Sequence, residues 1–388
     1  MFRFLTAGES HGKGLVVIVE GMVAGLTLSE DHIARDLKRR QAGYGRGERM
    51  KIESDHAEIV SGVRHGKTMG SPISLMIPNR DWENWKQSMN VCPVDDVVPP
   101  LTQLRPGHAD LAGVIKYHLH DIRPVLERSS ARETAARVAA GSVARRFLEE
   151  FDIEVHSHTL SIGGQHAAVG AGFDWARVEA SPVRCLDAEA EKRMMKAIDE
   201  AKASGNTVGG VFEVIANGVP IGLGSHAHWD RRISGSLAQA VMSINAVKGV
   251  EIGDGFGLGE VRGSEAHDVI EPPAQNGGAW RHRTNRAGGI EGGMTNGEPI
   301  VIRAAVKPIA TMTNPLPSVD LATGKAVKAH YERSDICVVP AAGVVGEAMV
   351  AIVLAQAMLE KFGGDHLSET LHNHRGYLNM VSMRTPLE

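Results

Sequence analysis

Apolar residues recur along this chain in two rhythms. Continuous or alternating apolar runs at 15–19, 73–77, 210–219, 299–306 and 336–339 have the length of strands. A period near 3.6 predicts helices after Ser29, at about 109–120, at 131–151, from Asp187 to the stop at Gly205, over 229–247 and at 341–362. The first is fully punctuated: Ser29 caps it, Glu30 and Asp31 open it, and Ile33, Ala34 and Leu37 form its stripe. Lys38, Arg39 and Arg40 close it before Gly43, the charge order that a helix dipole favours. Residues 78–100 and 249–299 show neither rhythm, and Trp82 and Trp85 read as packing anchors within the first of these. An irregular stretch as long as the second is expected to be functional or ordered by a ligand. No Ser/Pro linker or charge run divides the chain, so residues 1–388 are expected to form one compact domain.

Composition narrows the function. A hydrophobic content of 43% is enough for a substantial core, while a net charge of −4, a pI near 6.5 and 4% aromatics argue against a nucleic-acid binder. Cys92, Cys185 and Cys337 lack paired spacing, which predicts free thiols in a reducing cytoplasm. The N-terminus lacks the apolar core of a signal peptide, and the apolar stretch 348–359 is too short to span a bilayer. A soluble, cytoplasmic protein without membrane contact is expected. Glycine is over-represented, with 44 residues against a usual share of about 7%.

Against this mildly acidic background, positive charge is concentrated locally. Arg105, His108, Arg123, Arg128 and Arg132 fall within one short helix and the start of the next. Ser130 and Glu133 have capping-box spacing, so a helix is expected to begin there and to present free N–H groups to an anion. Gly8-Glu9-Ser10-His11-Gly12-Lys13-Gly14 is a glycine-rich loop beside a strand, where backbone can approach a ligand closely; it lacks the spacing of a Walker loop. Tyr44-Gly45-Arg46-Gly47-Glu48-Arg49 reads as a flexible, anion-binding lid. The pairs His118/His120, His156/His158, His226/His228 and His372/His374 have no third ligand at a recognisable spacing, so no metal is expected. No nucleophile elbow appears, and no cysteine lies beside a base in sequence.

Three stretches then coincide with one family. Gly8-Glu9-Ser10-His11-Gly12, Glu127-Arg128-Ser129-Ser130-Ala131-Arg132-Glu133-Thr134, and Arg333-Ser334-Asp335 followed by Glu347 resemble the signature stretches of the chorismate synthases. Arg105-Pro106-Gly107-His108-Ala109-Asp110, Ser243-Ile244-Asn245-Ala246 and residues 307–311 fit in the same order, so the resemblance covers essentially the whole chain. It implies an α+β fold, a single-domain β-α-β sandwich with long helices between antiparallel sheets, assembled as a homotetramer. The implied reaction is loss of phosphate and a C-6 hydrogen from 5-enolpyruvylshikimate 3-phosphate. It requires reduced FMN without net redox change, and because no reductase extension follows Glu388 the flavin is expected to be reduced by an external partner.

The resemblance also assigns residues. His11 protonates the leaving phosphate, His108 donates a proton to the reduced flavin or stabilises it, and Asp335 with Ser130 relays a proton at flavin N5. Ser10, Arg40, Arg46, Arg49, Arg105 and Arg132 hold the substrate, whose two carboxylates and phosphate carry about four negative charges. Arginine suits such groups because its planar fork matches carboxylate and phosphate edges. Arg128, Ser129, Ser130, Asn245, Ala246, Gly292, Lys307, Pro308, Ile309, Ala310, Thr311 and Arg333 contact FMN, and an NADP(H) association at Arg40 and Arg46 is compatible with the family. Two rivals remain open on sequence: a flavin oxidoreductase acting on a phosphorylated anion, and a non-catalytic anion- or nucleotide-binding module.

Overall fold

The computed structural model describes residues 2–47, 54–95, 98–168, 172–272 and 280–382. Two antiparallel sheets and the helices packed against them make up most of it. The first sheet contains β1 (Arg3–Ala7), β2 (Gly14–Glu20), β3 (Glu58–Ser61) and β4 (Ile73–Pro78), in the order β1-β2-β4-β3. The second contains β5 (Glu154–Ile162), β6 (Gln165–His166), β7 (Gly210–Asn217), β8 (Val247–Ile252) and β9 (Ile300–Val306), in the order β8-β9-β7-β5-β6. Alternation decides which face is inside. Leu15, Val17 and Val19 of β2 and Ile73, Leu75 and Ile77 of β4 are all fully buried, whereas Leu5 and Ile18, paired across β1 and β2, are exposed. Each such buried side chain contributes on the order of 1.5–3 kcal/mol relative to exposure.

The main helices are α1 (Glu30–Gln41), α2 (Asp110–Tyr117), α3 (Arg123–Ser129), α4 (Thr134–Glu149), α5 (Ala188–Ala203), α6 (Ile233–Met242), α7 (Val339–Phe362) and α8 (Leu367–Ser382). α4 packs on β2, α7 packs on β5 and β7, and α1, α4 and α7 pack against one another. α7 has 24 residues and mean hydropathy 1.9, long and apolar enough to cross a membrane, but 83% of that window is buried against its neighbours. Small residues admit the neighbours closely: Gly141 of α4 faces Ala348, and Gly346 faces Phe212 and Val214. One cluster of buried apolar residues runs from Phe2 to Leu367, with a small satellite around Leu104, Val114 and Ile122.

Several expectations need correcting. The apolar run 336–339 is not a strand. Its backbone N–H groups at Ile336 and Cys337 donate to Gly45 O, and α7 begins at Val339 with Pro340 in its first turn, where a missing N–H costs nothing. The apolar stretch 348–359 is part of a longer helix than expected for it, since α7 extends nine residues further towards the N-terminus. β8 begins at the end of the expected helix 229–247 and runs into the stretch expected to be irregular; a bulge between Val247 and Gly249 interrupts its alternation. The short helix Trp82–Trp85 likewise lies in the other aperiodic region. Asn276, Gly277 and Gly278, part of the second such region, lie outside the described residues. All three cysteines are free thiols, Cys92 exposed and Cys185 and Cys337 buried.

Candidate active site

β1 and β2 are joined by a loop that folds back over the end of the first sheet. Gly8 begins it at φ +106°, where an added Cβ would collide with the carbonyl of Gly14. Asn79, directly after β4, ties the loop down: its N–H donates to Lys13 O (3.1 Å) and its side-chain amide to the carbonyls of Glu9 (3.1 Å) and Gly12 (2.7 Å). Ser10 Oγ donates to Ser130 Oγ (3.0 Å) and Ser10 N to Glu127 O (3.1 Å). His11 is held by one carboxylate, with its N–H 2.7 Å from Glu127 Oε2 and its Nδ1 2.8 Å from Oε1. The Trp85 ring stacks on the imidazole, centroids 3.9 Å apart and planes at 25°. The packing partner of this tryptophan is therefore a candidate catalytic ring, not the apolar core.

Ser130 caps the turn that starts the next helix by accepting from Arg132 N (3.3 Å). Glu133 does not return the bond; its carboxylate accepts from Thr6 Oγ1 and from Arg137 Nε, both at 2.9 Å, so the capping box is only half made. Arg132 Nε donates to Asn79 Oδ1 (2.9 Å), and its Nη1 pairs with Asp55. The other oxygen of Asp55 takes Arg40 Nη1 (3.2 Å), whose Nε and Nη2 donate to Thr134 Oγ1 and Ala131 O, both at 2.9 Å. Burial pushes Arg40 down to about 10; Asp55 and Asp335 oppose that shift, while Arg46 and Arg132 reinforce it. Three guanidiniums thus share one region with two carboxylates. At Asp335, Oδ1 accepts from Gly47 N (2.6 Å) and Oδ2 lies 3.4 Å from Arg46 Nη1. The described part of the expected lid is accordingly anchored, with Tyr44 Oη also donating to Asp199 (2.9 Å). Glu48 and Arg49 lie outside the described residues.

Arg105 and His108 converge on the buried carboxylate of Asp110 at the start of α2. Arg105 Nε donates to Oδ2 (2.8 Å), Arg105 Nη2 to Oδ1 (3.0 Å), and His108 Nδ1 is 2.5 Å from Oδ1. Arg105 Nη2 also lies 3.0 Å from that imidazole nitrogen, a contact and not a second hydrogen bond, because Nδ1 already donates to the carboxylate. Burial raises the Asp110 carboxyl, but the hydrogen bonds from His108 and Arg105 outweigh it and hold the group well below its ordinary range. Arg105 Nη1 is 3.5 Å from Thr311 Oγ1 and 3.9 Å from Glu332. Burial raises Glu332 as well, and His330, Arg105 and His11 together bring it below the ordinary value, which places His11 and Arg105 in one field.

The remaining candidates border this region. Arg128 donates to the carbonyls of Gly8 and Thr6, both at 3.0 Å, and Ser129 Oγ to Val125 O (2.6 Å). Asn245 Nδ2 donates to Ser129 O (2.9 Å), and Ala246, at φ +67°, accepts from Lys307 N (2.9 Å). Lys307 Nζ donates to Gly107 O, and Ala310 lies beside Gly107. Ile309 O accepts from Thr207 Oγ1 (2.7 Å), Pro308 connects the two, and Thr311 O accepts from Ser334 Oγ (3.0 Å). Burial and neighbouring Lys248 lower Lys307 below its ordinary value. Contacts therefore link most of the candidates into one region. Gly292 sits in a two-residue turn whose Gly293 packs on Arg232, with nothing within 4 Å of an added Cβ, and Arg333 borders the region through its neighbour Ser334.

Asp55, Asn79, Asp110, Glu127 and Glu332, which organise the cations, had no assigned role in the sequence reading. Only Asp110, two residues after His108, and Glu127, inside a signature stretch, carried a usable signal. Members of the histidine pairs take other partners: His156 stacks on Trp175 at 4.6 Å, His158 Nε2 is 2.9 Å from Glu213, and His374 packs on Phe151 and Phe362. Among the described residues no group of three or more His, Cys, Asp or Glu is placed to hold a metal.

Comparison with known proteins gives the family. The family model described as chorismate synthase matches residues 2–359. The chorismate synthase of Moorella thermoacetica is 57% identical over 387 residues, covering 98% of this chain and 100% of its own, and that of Thermobifida fusca is 52% identical over 396 residues, covering 99% and 100%. A solved structure titled "Crystal Structure of Chorismate Synthase" superposes with a TM-score of 0.78 at 44% identity, covering 98% of both chains. With a family model matching residues 2–359, relatives matched over 98% or more of the chain and a matching fold, this chain belongs to the chorismate synthase family.

Proposed function

We propose the following division of labour for the lyase reaction that family membership brings to this chain, the 1,4-elimination of phosphate from 5-enolpyruvylshikimate 3-phosphate to give chorismate. Arg46, Arg105 and Arg132 take the carboxylates and phosphate of the substrate. Ser10 adds a hydroxyl, and Arg49 adds a further cation. Arg40, whose donors are already turned towards Asp55, Thr134 and Ala131, contributes its charge from behind. His11 gives a proton from Nε2 to the departing phosphate, since Nδ1 is committed to Glu127. His108 faces the cofactor and stabilises its reduced form, and Asp335 with Ser130 relays a proton at N5. The observation that carries this reading is the run of contacts Glu127–His11, Ser10–Ser130, Asn79–Arg132 and Arg132–Asp55–Arg40, which sets a proton donor among fixed cations.

Reduced FMN fits the residues beside this cluster. Arg128, Ser129, Ser130, Asn245, Ala246, residues 307–311 and Arg333 hold it, with Lys307 and Lys248 supplying charge for its phosphate. Gly292 reaches it from a neighbouring subunit of a homotetramer. Bound reduced flavin supplies an electron-rich ring that eases loss of the allylic phosphate without net oxidation. NADP(H), where it associates, does so at Arg40 and Arg46. The supporting architecture is one domain in which α1, α4 and α7 lie between the two sheets, working in the cytoplasm with an external flavin reductant. Anaerobic mixing of protein, dithionite-reduced FMN and substrate is the test: phosphate is released while the flavin spectrum stays reduced. One flavin oxidised per product would instead establish an oxidoreductase, and no turnover a binding module.

A further inference from the structure

We propose that Glu127 is a positioning residue that fixes the tautomer and the aim of the His11 imidazole; this rests on the reading of His11 as proton donor given above. Glu127 is buried on α3, its side chain wholly inaccessible, and residues 10 and 11 make three hydrogen bonds to it. Two of these, to the carbonyl from Ser10 N and to Oε2 from His11 N, are enough to tether the loop. The third does something the tether does not need. An ionised carboxylate can only accept, so Oε1, 2.8 Å from Nδ1, puts the proton of the neutral ring on Nδ1 and leaves the Nε2 lone pair open. A proton taken up at Nε2 then makes an imidazolium whose charge faces a carboxylate. Trp85, stacked at 3.9 Å, opposes rotation of the ring out of that plane, and its own ring lies 5.3 Å from the Arg123 guanidinium. Arg123 Nη1 in turn is 3.8 Å from Glu127 Oε1 and supplies a compensating charge. Glu127 touches neither substrate nor cofactor in this arrangement; it acts through His11.

The test is 15N NMR of histidine-labelled full-length protein, with the His11 resonances assigned by their loss in His11→Ala, alongside steady-state kinetics. In the natural protein the neutral His11 ring carries its proton on Nδ1. In Glu127→Gln, nearly isosteric and unable to act as a charged acceptor, the Nε2–H tautomer becomes populated. The same variant loses about 10- to 100-fold in kcat, the range for removing a group that orients a functional histidine, while KM stays unchanged because substrate contacts are untouched. An Nε2–H tautomer in the natural protein overturns the proposal whether or not the variant folds, and so does a folded Glu127→Gln protein with unaltered kcat. Full turnover by His11→Ala would refute the proton-donor reading instead, with the tautomer still reporting whether Glu127 sets the ring.

Discussion

At Asp55 a single buried carboxylate separates two buried guanidiniums, those of Arg40 and Arg132. Removing one partner of such a cluster leaves uncompensated charge out of water, so Asp55→Asn is expected to cost about 3–5 kcal/mol. Calorimetry should find a lowered midpoint that added substrate raises more than in the natural protein, because the anions of the substrate then replace the lost carboxylate. An unchanged midpoint would show that Asp55 does not hold the arginines apart. His11→Ala should lower kcat by about two to four powers of ten, the usual worth of a general acid. Arg46→Ala should mainly raise KM in steady-state assays, and unchanged substrate binding would count against a role in anion capture. Residues of this kind were unequally legible. Repeated Arg and His in short motifs betray themselves, whereas Asp55, just before β3, and Asn79, just after β4, acquire meaning only when the fold brings them to Arg132. Trp85 reads as a packing anchor, and sequence does not reveal which ring it will meet.

Among the elements, α7 shows how a core helix can carry a charge. Glu347, fully buried on it, accepts from Arg39 Nη1 (2.7 Å) and Nη2 (2.9 Å), Arg184 Nη2 (3.1 Å) and Ser157 Oγ (2.6 Å), and pairs with Arg145. It thereby joins α7 to α1, α4 and β5. Burial raises the Glu347 carboxyl, but Arg39, Arg145 and Arg184 overcome that and depress it far below its ordinary 4.5. A folded value below the unfolded one means that the stabilisation is fully present above about 4.5 and is lost as pH falls towards the folded value. Thermal melts across that acid range should therefore fall more steeply for the natural protein than for Glu347→Gln, which starts lower; parallel curves would contradict the linkage. Gly141 tests the other kind of contact in this layer. A Cβ there would overlap Ala348, so Gly141→Ala should destabilise by about 1–3 kcal/mol in denaturant melts. Strands with continuous or alternating apolar runs, β2, β4, β7 and β9, were legible from pattern. β5 was not, because its buried face carries Ser157, Thr159 and Ser161, the first of which donates to Glu347. The run 336–339 misled for the converse reason, since apolar residues entering a helix look like a short strand.

Across the whole molecule, a chain of net charge −4 assembles Arg40, Arg46, Arg105 and Arg132 around small carboxylates, which composition alone does not disclose. Short motifs made the family legible, but the meeting of distant segments depends on topology: residues 8–12, 79, 105–110, 127–132 and 332–335 come together where the end of the first sheet approaches α3 and the starts of α2, α4 and α7. Leu5, Ile18, Ile115, Tyr117, Trp229 and Phe256 leave large apolar surface exposed on the single chain. Light scattering should accordingly give about four times the 41.6 kDa of one protomer, whereas a monomeric mass would remove the proposed route for Gly292 to the cofactor. The central claim, that one cationic pocket holds a phosphorylated substrate beside His11 and next to the flavin residues, is tested most directly by a crystal structure with substrate and oxidised FMN. The account predicts the phosphate of the substrate within hydrogen-bond reach of His11 Nε2, with Arg46, Arg105 and Arg132 on its anions and the flavin along Asn245, Ala246 and residues 307–311. Ligand density away from His11, or a flavin bound elsewhere, would contradict it.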